Sequence, residues 1–218
     1  MVMNIKSEIE RIAEEVHNCS LECNGVCHDP DEGIHPRCLF FEDGKGDEDK
    51  GVVIVGMNPG RANKHEMEEL KNATYEEAKE FWERHNKYGD GKNNTSTYFS
   101  DLRKIAEELG LNGPIIWTDL TKCQNKKVAW NPLNQTHRKC ITTHLIRELK
   151  DINWPIIAAG KDAYNAISYL YLKHTVVGVP HPSRRSSHLF KKLFTGGKLK
   201  EEYKLREGEA VWFQTTKS

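Results

Sequence analysis

Several things are scarce in this 218-residue chain, and each absence excludes something. No apolar run approaches the roughly 18 residues that a membrane helix needs, and mean hydropathy is low at -0.71. A membrane span is therefore excluded. The N-terminal stretch MVMNIKSEIERIAEEV carries charge throughout and has no apolar core segment, so it does not read as a secretory signal. The expected location is cytoplasmic. There is no internal repeat, no low-complexity tract and no overall charge of either sign, since 32 basic residues balance 32 acidic ones. The length suits one α/β-sized domain spanning 1–218. What is not scarce is cysteine: six of them, in a setting where disulfides are rare, ask for a metal or a reactivity account.

The neutral total conceals an uneven distribution. Residues 1–50 carry 13 Asp/Glu against five Lys/Arg, a net of -8, whereas residues 181–200 carry six Lys/Arg and no carboxylate. Attraction to a polyanion depends on charge density within a Debye length, so the zero sum does not exclude a phosphate-bearing partner. Taken alone, such runs are also what a solvated surface looks like.

Apolar residues three and four apart predict an amphipathic helix over 5–17, which runs into a cysteine-rich segment at 17–40. Four short apolar runs read as buried parallel strands: 51–56, 114–118, 154–159 and 174–179. Helical patterns at 66–87, 99–110, 138–150 and 161–172 lie between them, and the polar stretch 89–95 reads as a mobile loop. Strand and helix alternate. The predicted fold is a three-layer α/β/α sandwich around a four-stranded parallel sheet, in which ligands bind beyond the carboxyl ends of the strands.

Three polar clusters fall where that rule puts a site: Gly56-Met-Asn-Pro-Gly60 after the first strand, Asp119 ending the second, and His181-Pro-Ser183 after the fourth. Each has an ordinary alternative, as a turn, a cap or a surface histidine. Together, GMNPG and a later HPS resemble the two active-site motifs of the uracil-DNA glycosylase superfamily, the first in the form found in its single-strand-selective and mismatch-specific branches. The cysteines resemble another branch, the iron-sulfur (family 4) uracil-DNA glycosylases. There a strand-two segment ending in Lys-Cys is followed by a second Cys opening a helix, as Lys122-Cys123 and then Cys140 do here with 16 residues between.

That resemblance implies a [4Fe–4S] cluster, which takes four thiolates. Cys123 and Cys140 match the family pattern, and Cys38 resembles the second member of its N-terminal pair. The fourth ligand is open among Cys19, Cys23 and Cys27, which stand with three residues between each; Cys19, just after the first helix, is the choice. Zinc is the competing metal, since His17, His28 and His35 are interspersed. Free thiols are the third reading. The cluster implied is structural, pinning the N-terminal segment to the loop between 123 and 140, whose Lys122, Lys126, Lys127, Arg138 and Lys139 are expected to reach DNA.

For the chemistry, the resemblance implies that Asn58 positions a water and that His181 donates to O2 of the departing base. The backbone of Met57 and Gly60 would approach base and phosphate, with Gly60, Arg61, Ser183, Arg184 and Arg185 on DNA, and Tyr98 or Phe99 stacked on the base. The two arginines depart from the family, which often has an apolar wedge there. Asp119 departs more sharply, because the iron-sulfur family has Asn at that position. An amide accepts from uracil N3–H and donates to O4, whereas an ionised carboxylate only accepts. Either burial keeps Asp119 protonated, or the base is not simply uracil. The function expected is a DNA-repair glycosylase acting, as a monomer, on a deaminated base. The alternatives are a catalytically divergent iron-sulfur nucleic-acid binder on the same scaffold, and an α/β metabolite-binding protein with a zinc-stabilised N-terminus.

Overall fold

The computed structural model describes residues 2–37, 39–44, 46, 48–87, 97–126, 134–182, 206 and 208–213. Cys38, the 89–95 loop, Lys127, Ser183, Arg184 and Arg185 lie outside them. The chain forms two compact units, each assembled from three segments: 1–40, 58–96 and 118–152 in one, and 41–57, 97–117 and 153–218 in the other.

The eight strands among the described residues are β1 (Val26–Cys27), β2 (Phe40–Glu42), β3 (Val52–Gly56), β4 (Ile115–Asp119), β5 (Gln124–Asn125), β6 (Ile156–Ala159), β7 (Val176–Val179) and β8 (Ala210–Trp212). The helices are α1 (Val2–His17), α2 (Lys64–Glu69), α3 (Tyr75–Lys87), α4 (Thr97–Glu108), α5 (Asn134–Cys140), α6 (Ile146–Glu148) and α7 (Lys161–Leu170). The fold class is the expected α/β/α one, with helices flanking a central sheet of order β2-β4-β3-β6-β7-β8. All four predicted strands are in it. Two three-residue edge strands, β2 and β8, extend the sheet from four strands to six; such short, partly exposed segments carry almost no periodic signal.

The second unit holds most of that sheet. Strands β3, β6, β7 and β8 run parallel, in a register that sets Ile54 beside Ile157, Ile157 beside Val177, and Val177 beside Val211. Val52–Val55 and Ile156–Ala159 are buried throughout, as strands covered on both faces must be. Gly178 is where β7 is crossed most closely, because a Cβ there would lie 2.3 Å from the Trp212 ring and 2.5 Å from Tyr164.

The first unit is helical with a small ribbon. Its α1 buries Ile9, Ile12, Ala13 and Val16 on one stripe. The single helix predicted over 66–87 is two. Thr74 and Glu77 form a reciprocal cap, with Thr74 N donating to Glu77 Oε2 at 2.8 Å, and Asn72 adopts φ 54 ahead of it. The helix predicted over 138–150 is likewise interrupted, by a π-helical turn at Ile141–Leu145 directly after Cys140. Such turns shift side-chain direction inside a helix and recur at functional sites. Strands β1 and β5 pair antiparallel, with Cys27 opposite Gln124.

Candidate active site and cysteine cavity

In the sheet-bearing unit, β7 ends at Val179 and His181 follows two residues later, as β6 ends at Ala159 and turns through Gly160 into α7. Gly160 sits at φ +97, a conformation that favours glycine, and a Cβ there would stand 3.6 Å from that of His181. Burial holds the His181 imidazole below its ordinary pKa, so it is neutral at pH 7 and has an N–H to donate. The Tyr98 ring lies 5.3 Å from it, tilted by 39°.

Tyr98 and Phe99, offered as alternatives on sequence grounds, are placed differently. Phe99 packs edge-on against Trp117 at 4.9 Å. Arg103 lies over both rings, 5.2 Å from Trp117 and 6.0 Å from Phe99, and forks onto Glu42 with two bonds of 2.6 Å. Trp117 Nε1 donates to the same carboxylate at 2.8 Å. This bidentate, stacked arrangement fixes the first turns of α4, and Tyr98 is left as the ring beside His181. Met57, directly after β3, is half-buried.

In the other unit, half-buried Asn58 turns its Nδ2 to the Pro59 carbonyl at 3.0 Å, which keeps the amide in one orientation with Oδ1 as its accepting end. Gly60 and Arg61 are exposed, and an added Cβ at Gly60 would meet nothing within 4 Å. Asp119, 5% exposed, ends β4. Its carbonyl accepts from Lys122 Nζ at 2.7 Å. Lys122 is not the DNA-facing lysine expected from the sequence. Its side chain is 1% exposed and ion-paired to fully buried Glu148 at 2.8 Å, with Thr118 Oγ1 as the third acceptor. Thr118 in turn donates to Glu148 Oε2 at 2.7 Å. All three ammonium protons are thus placed, and Glu148 Oε1 has no partner among the described residues. Arg138 and Lys139 are exposed, and Lys139 reaches the Glu22 carbonyl at 3.0 Å.

The same unit contains a cavity of about 960 Å³ lined by Cys19, Cys23, Cys27 and Cys123 together with His17, His28 and His35. The five described cysteines are all free of disulfides. Cys140 is buried and accepts from the Lys122 backbone N–H at 3.3 Å; His144, presented by the π-helical turn, has Nε2 3.3 Å from Cys19 Sγ. Burial pushes the Cys123 thiol far up, and proximity to Cys140, Cys19, Cys23 and Cys27 pushes it further. Burial likewise takes Cys140 up to about 11, against a smaller downward pull from Lys122. Also lining the cavity, His17 and His35 stack at 4.4 Å, their Nε2 atoms 3.2 Å from the Ala73 carbonyl and 2.8 Å from that of Leu70. No group of three or more His, Cys, Asp or Glu among the described residues is arranged around a single ion.

Comparison with known families adds one finding: the model of the Uracil DNA glycosylase superfamily matches residues 44–204, a span that contains both the GMNPG and the HPS motifs. The chain belongs to that superfamily. No curated protein matches the chain closely enough to be called a relative. Superfamily members act on DNA, and no helix among the described residues is long and apolar enough to cross a membrane. For a glycosylase-superfamily site, sequence reading missed the Lys122–Glu148 pair, the Glu42 anchor of α4 and the Gly160 turn behind His181. Only the last had a local signal, a glycine between an apolar run and a helical pattern. The pairings of Lys122 and Glu42 join residues 26 and 61 positions apart, which no local pattern reports.

Proposed function

We propose that this chain is a DNA glycosylase of base excision repair, which turns a deaminated base out of the stack and hydrolyses its N-glycosidic bond to leave an abasic site, uracil being the first base to test. The observation that carries this reading is the neutral, half-buried His181 beside Tyr98 after a parallel strand, in a chain of the uracil-DNA glycosylase superfamily. Bond cleavage leaves negative charge on the base and cationic character on the sugar. A neutral imidazole donates to the developing O2 anion without itself having to be desolvated as a cation. Tyr98 supplies the ring against which the base rests.

Asn58 accepts from a water through Oδ1 and aims it at the anomeric carbon. An amide is too weak a base to remove the proton early, so the sugar cation is stabilised largely by the phosphates of the substrate itself. Gly60, with open space where a side chain would be, lets the backbone approach a phosphate, and Arg61, Ser183, Arg184 and Arg185 supply donors to the strand. Asp119 reads the Watson–Crick edge and decides which deaminated base is accepted. The enzyme acts as a monomer.

Cys19, Cys38, Cys123 and Cys140 are assigned to a [4Fe–4S] cluster. The donor set fits at two members: burial raises the thiol pKa of Cys123 and Cys140, so their anionic form is disfavoured until a cation is present; the Lys122 backbone N–H lies at the Cys140 sulfur and His144 Nε2 lies 3.3 Å from that of Cys19. These four thiolates would hold the cluster, with Cys38 outside the described residues. When bound, the cluster supplies a structural tie between the N-terminal segment and residues 123–140, and takes no part in the bond cleavage.

The test is a panel of oligonucleotides, each carrying one modified base in single- or double-stranded form, followed by alkaline cleavage. Strand scission at uracil, lost by about a hundredfold or more in Asn58→Ala, is the expected result. Tight, salt-sensitive DNA binding with no abasic product from any substrate would overturn catalysis and leave a binding protein. Iron and sulfide content, measured for each single Cys→Ala variant, tests the ligand set; undiminished iron in Cys19→Ala with loss in Cys23→Ala would move the fourth ligand.

A further inference from the structure

Asn58 lies in a segment, 57–63, that leaves β3 and enters α2 without joining either, so its conformation must be fixed from elsewhere. Two side chains do so. The Arg37 guanidinium donates through Nη2 to the Gly60 carbonyl and pairs through Nη1 with Glu66, in the first turn of α2; both side chains are largely buried, at 13% and 12% exposure. Gln124, 4% exposed, accepts the Ala62 N–H on Oε1 at 2.6 Å. The two anchors are themselves joined to the cysteine region. Arg37 N donates to the Lys122 carbonyl at 2.8 Å, Arg37 precedes Cys38, and Gln124 follows Cys123 and pairs across the ribbon with Cys27.

We infer that Arg37 and Gln124 are positioning residues that hold the Asn58 loop, so that the segments bearing Cys38 and Cys123 set the geometry of the water-positioning amide. The reason is directional. In a trans peptide the carbonyl and the following N–H point opposite ways, and no cis peptide occurs among the described residues. Drawing the Gly60 oxygen onto Arg37 removes a partial negative charge from the side a phosphate would approach, and turns the Arg61 N–H away from Arg37 toward that side. Taking up the Ala62 N–H on Gln124 fixes the next peptide as well. Two anchors within three residues leave the loop little rotational freedom, which is what near-attack positioning of a water by Asn58 requires. An arginine is suited to the first anchor because one planar fork serves a carbonyl and a carboxylate at once, which a lysine cannot do with the same geometry.

This inference rests on the glycosylase reading for its catalytic consequence, but not for its structural one, and the experiment separates them. Amide hydrogen exchange is followed on the full chain of wild type, Arg37→Gln, Arg37→Lys and Gln124→Ala, alongside single-turnover excision on the best substrate of the panel. Expected is exchange in 58–63 faster by about tenfold in Arg37→Gln and Gln124→Ala, the worth of one hydrogen bond, with β6 and β7 unchanged. The maximal single-turnover rate falls by about tenfold to a hundredfold, half-saturating DNA stays within about threefold of wild type, and iron content is that of wild type. Arg37→Lys recovers part of the rate. Loop exchange that stays at the wild-type rate in both variants, or a rate loss that only follows a loss of iron, would overturn the inference. If wild type excises no base, the glycosylase reading falls alone and loop exchange still decides whether Arg37 and Gln124 hold the loop.

Discussion

The two units solve the problem of a stable interior in opposite ways. The sheet-bearing unit is stabilised by hydrocarbon: β3, β6 and β7 contribute Val52–Val55, Ile156, Ile157, Val176 and Val177 at 0–1% exposure, and Thr175 is the one buried polar side chain among its described residues. The cysteine-bearing unit buries Lys122, Glu148, Thr121, Gln124, His17, His35 and His144 alongside its apolar stripe. Burying an ion pair gains little net stability compared with apolar residues of the same shape, while breaking one is expensive. A chain that retains so much polarity in one unit and so little in the other is using the polar one to fix directions, here those of the Asp119 carbonyl and the Gly60 and Ala62 peptides.

The sharpest way to break that contrast is at Lys122. Lys122→Met leaves the Glu148 carboxylate, one oxygen of which already lacks a partner among the described residues, without its cation. The expected loss is about 3–5 kcal/mol by urea unfolding. The double variant Lys122→Met/Glu148→Leu should regain most of it, while shifting the relative excision rates of the modified bases, because the Asp119 carbonyl has lost its donor. A single variant as stable as wild type would remove the electrostatic half of the comparison. The matching change in the other unit is Ile157→Ala, in the centre of the sheet at 0% exposure. About 2–5 kcal/mol should be lost there, without any change in base preference.

The contrast also explains what could be read from the sequence. The sheet was legible because a strand covered on both faces writes itself as a continuous apolar run, and both motifs of the proposed site follow such runs directly. The exceptions, β2 and β8, are three residues long and pair at edges, where neither pattern nor composition marks them. In the cysteine unit the residue types were visible but not their partners. Lys122 reads as one more cation in a basic stretch, and only the fold brings Glu148 to it. Arg37, an isolated basic residue in an acidic segment, gives no hint that it reaches Gly60, 23 positions away. The two helix breaks differ in the same way: the Thr74 to Glu77 box is spelled out locally, whereas the π-helical turn after Cys140 has no residue signature.

At Gly160 the effect should be smaller and confined to the site. Gly160→Ala places a Cβ 3.6 Å from that of His181, an ordinary contact, but at φ +97. Backbone strain of about 1–3 kcal/mol follows. Because the turn lies directly behind His181, single-turnover excision should fall while half-saturating DNA is unchanged. Unaltered stability would mean that the turn relaxes freely and does not brace the histidine.

The smallest effect tests the protonation state on which the mechanism depends. Burial lowers the folded-state pKa of His181, while the unfolded chain keeps the ordinary value of about 6.5. As pH falls through about 6.5 the unfolded state therefore takes up the proton first, and the stability that goes with a neutral His181 is full above that pH and declines below it. Comparing wild type with His181→Asn by urea unfolding at pH about 7.5 and about 5.5 isolates this group, because the other histidines are common to both chains. Wild type should lose more stability over the interval than the variant. Its single-turnover rate should also hold at pH values a little below 6.5, where an unperturbed imidazole would already be charged. A wild type that loses no more than His181→Asn would mean that His181 is not held neutral, and the donor to O2 would then be an imidazolium.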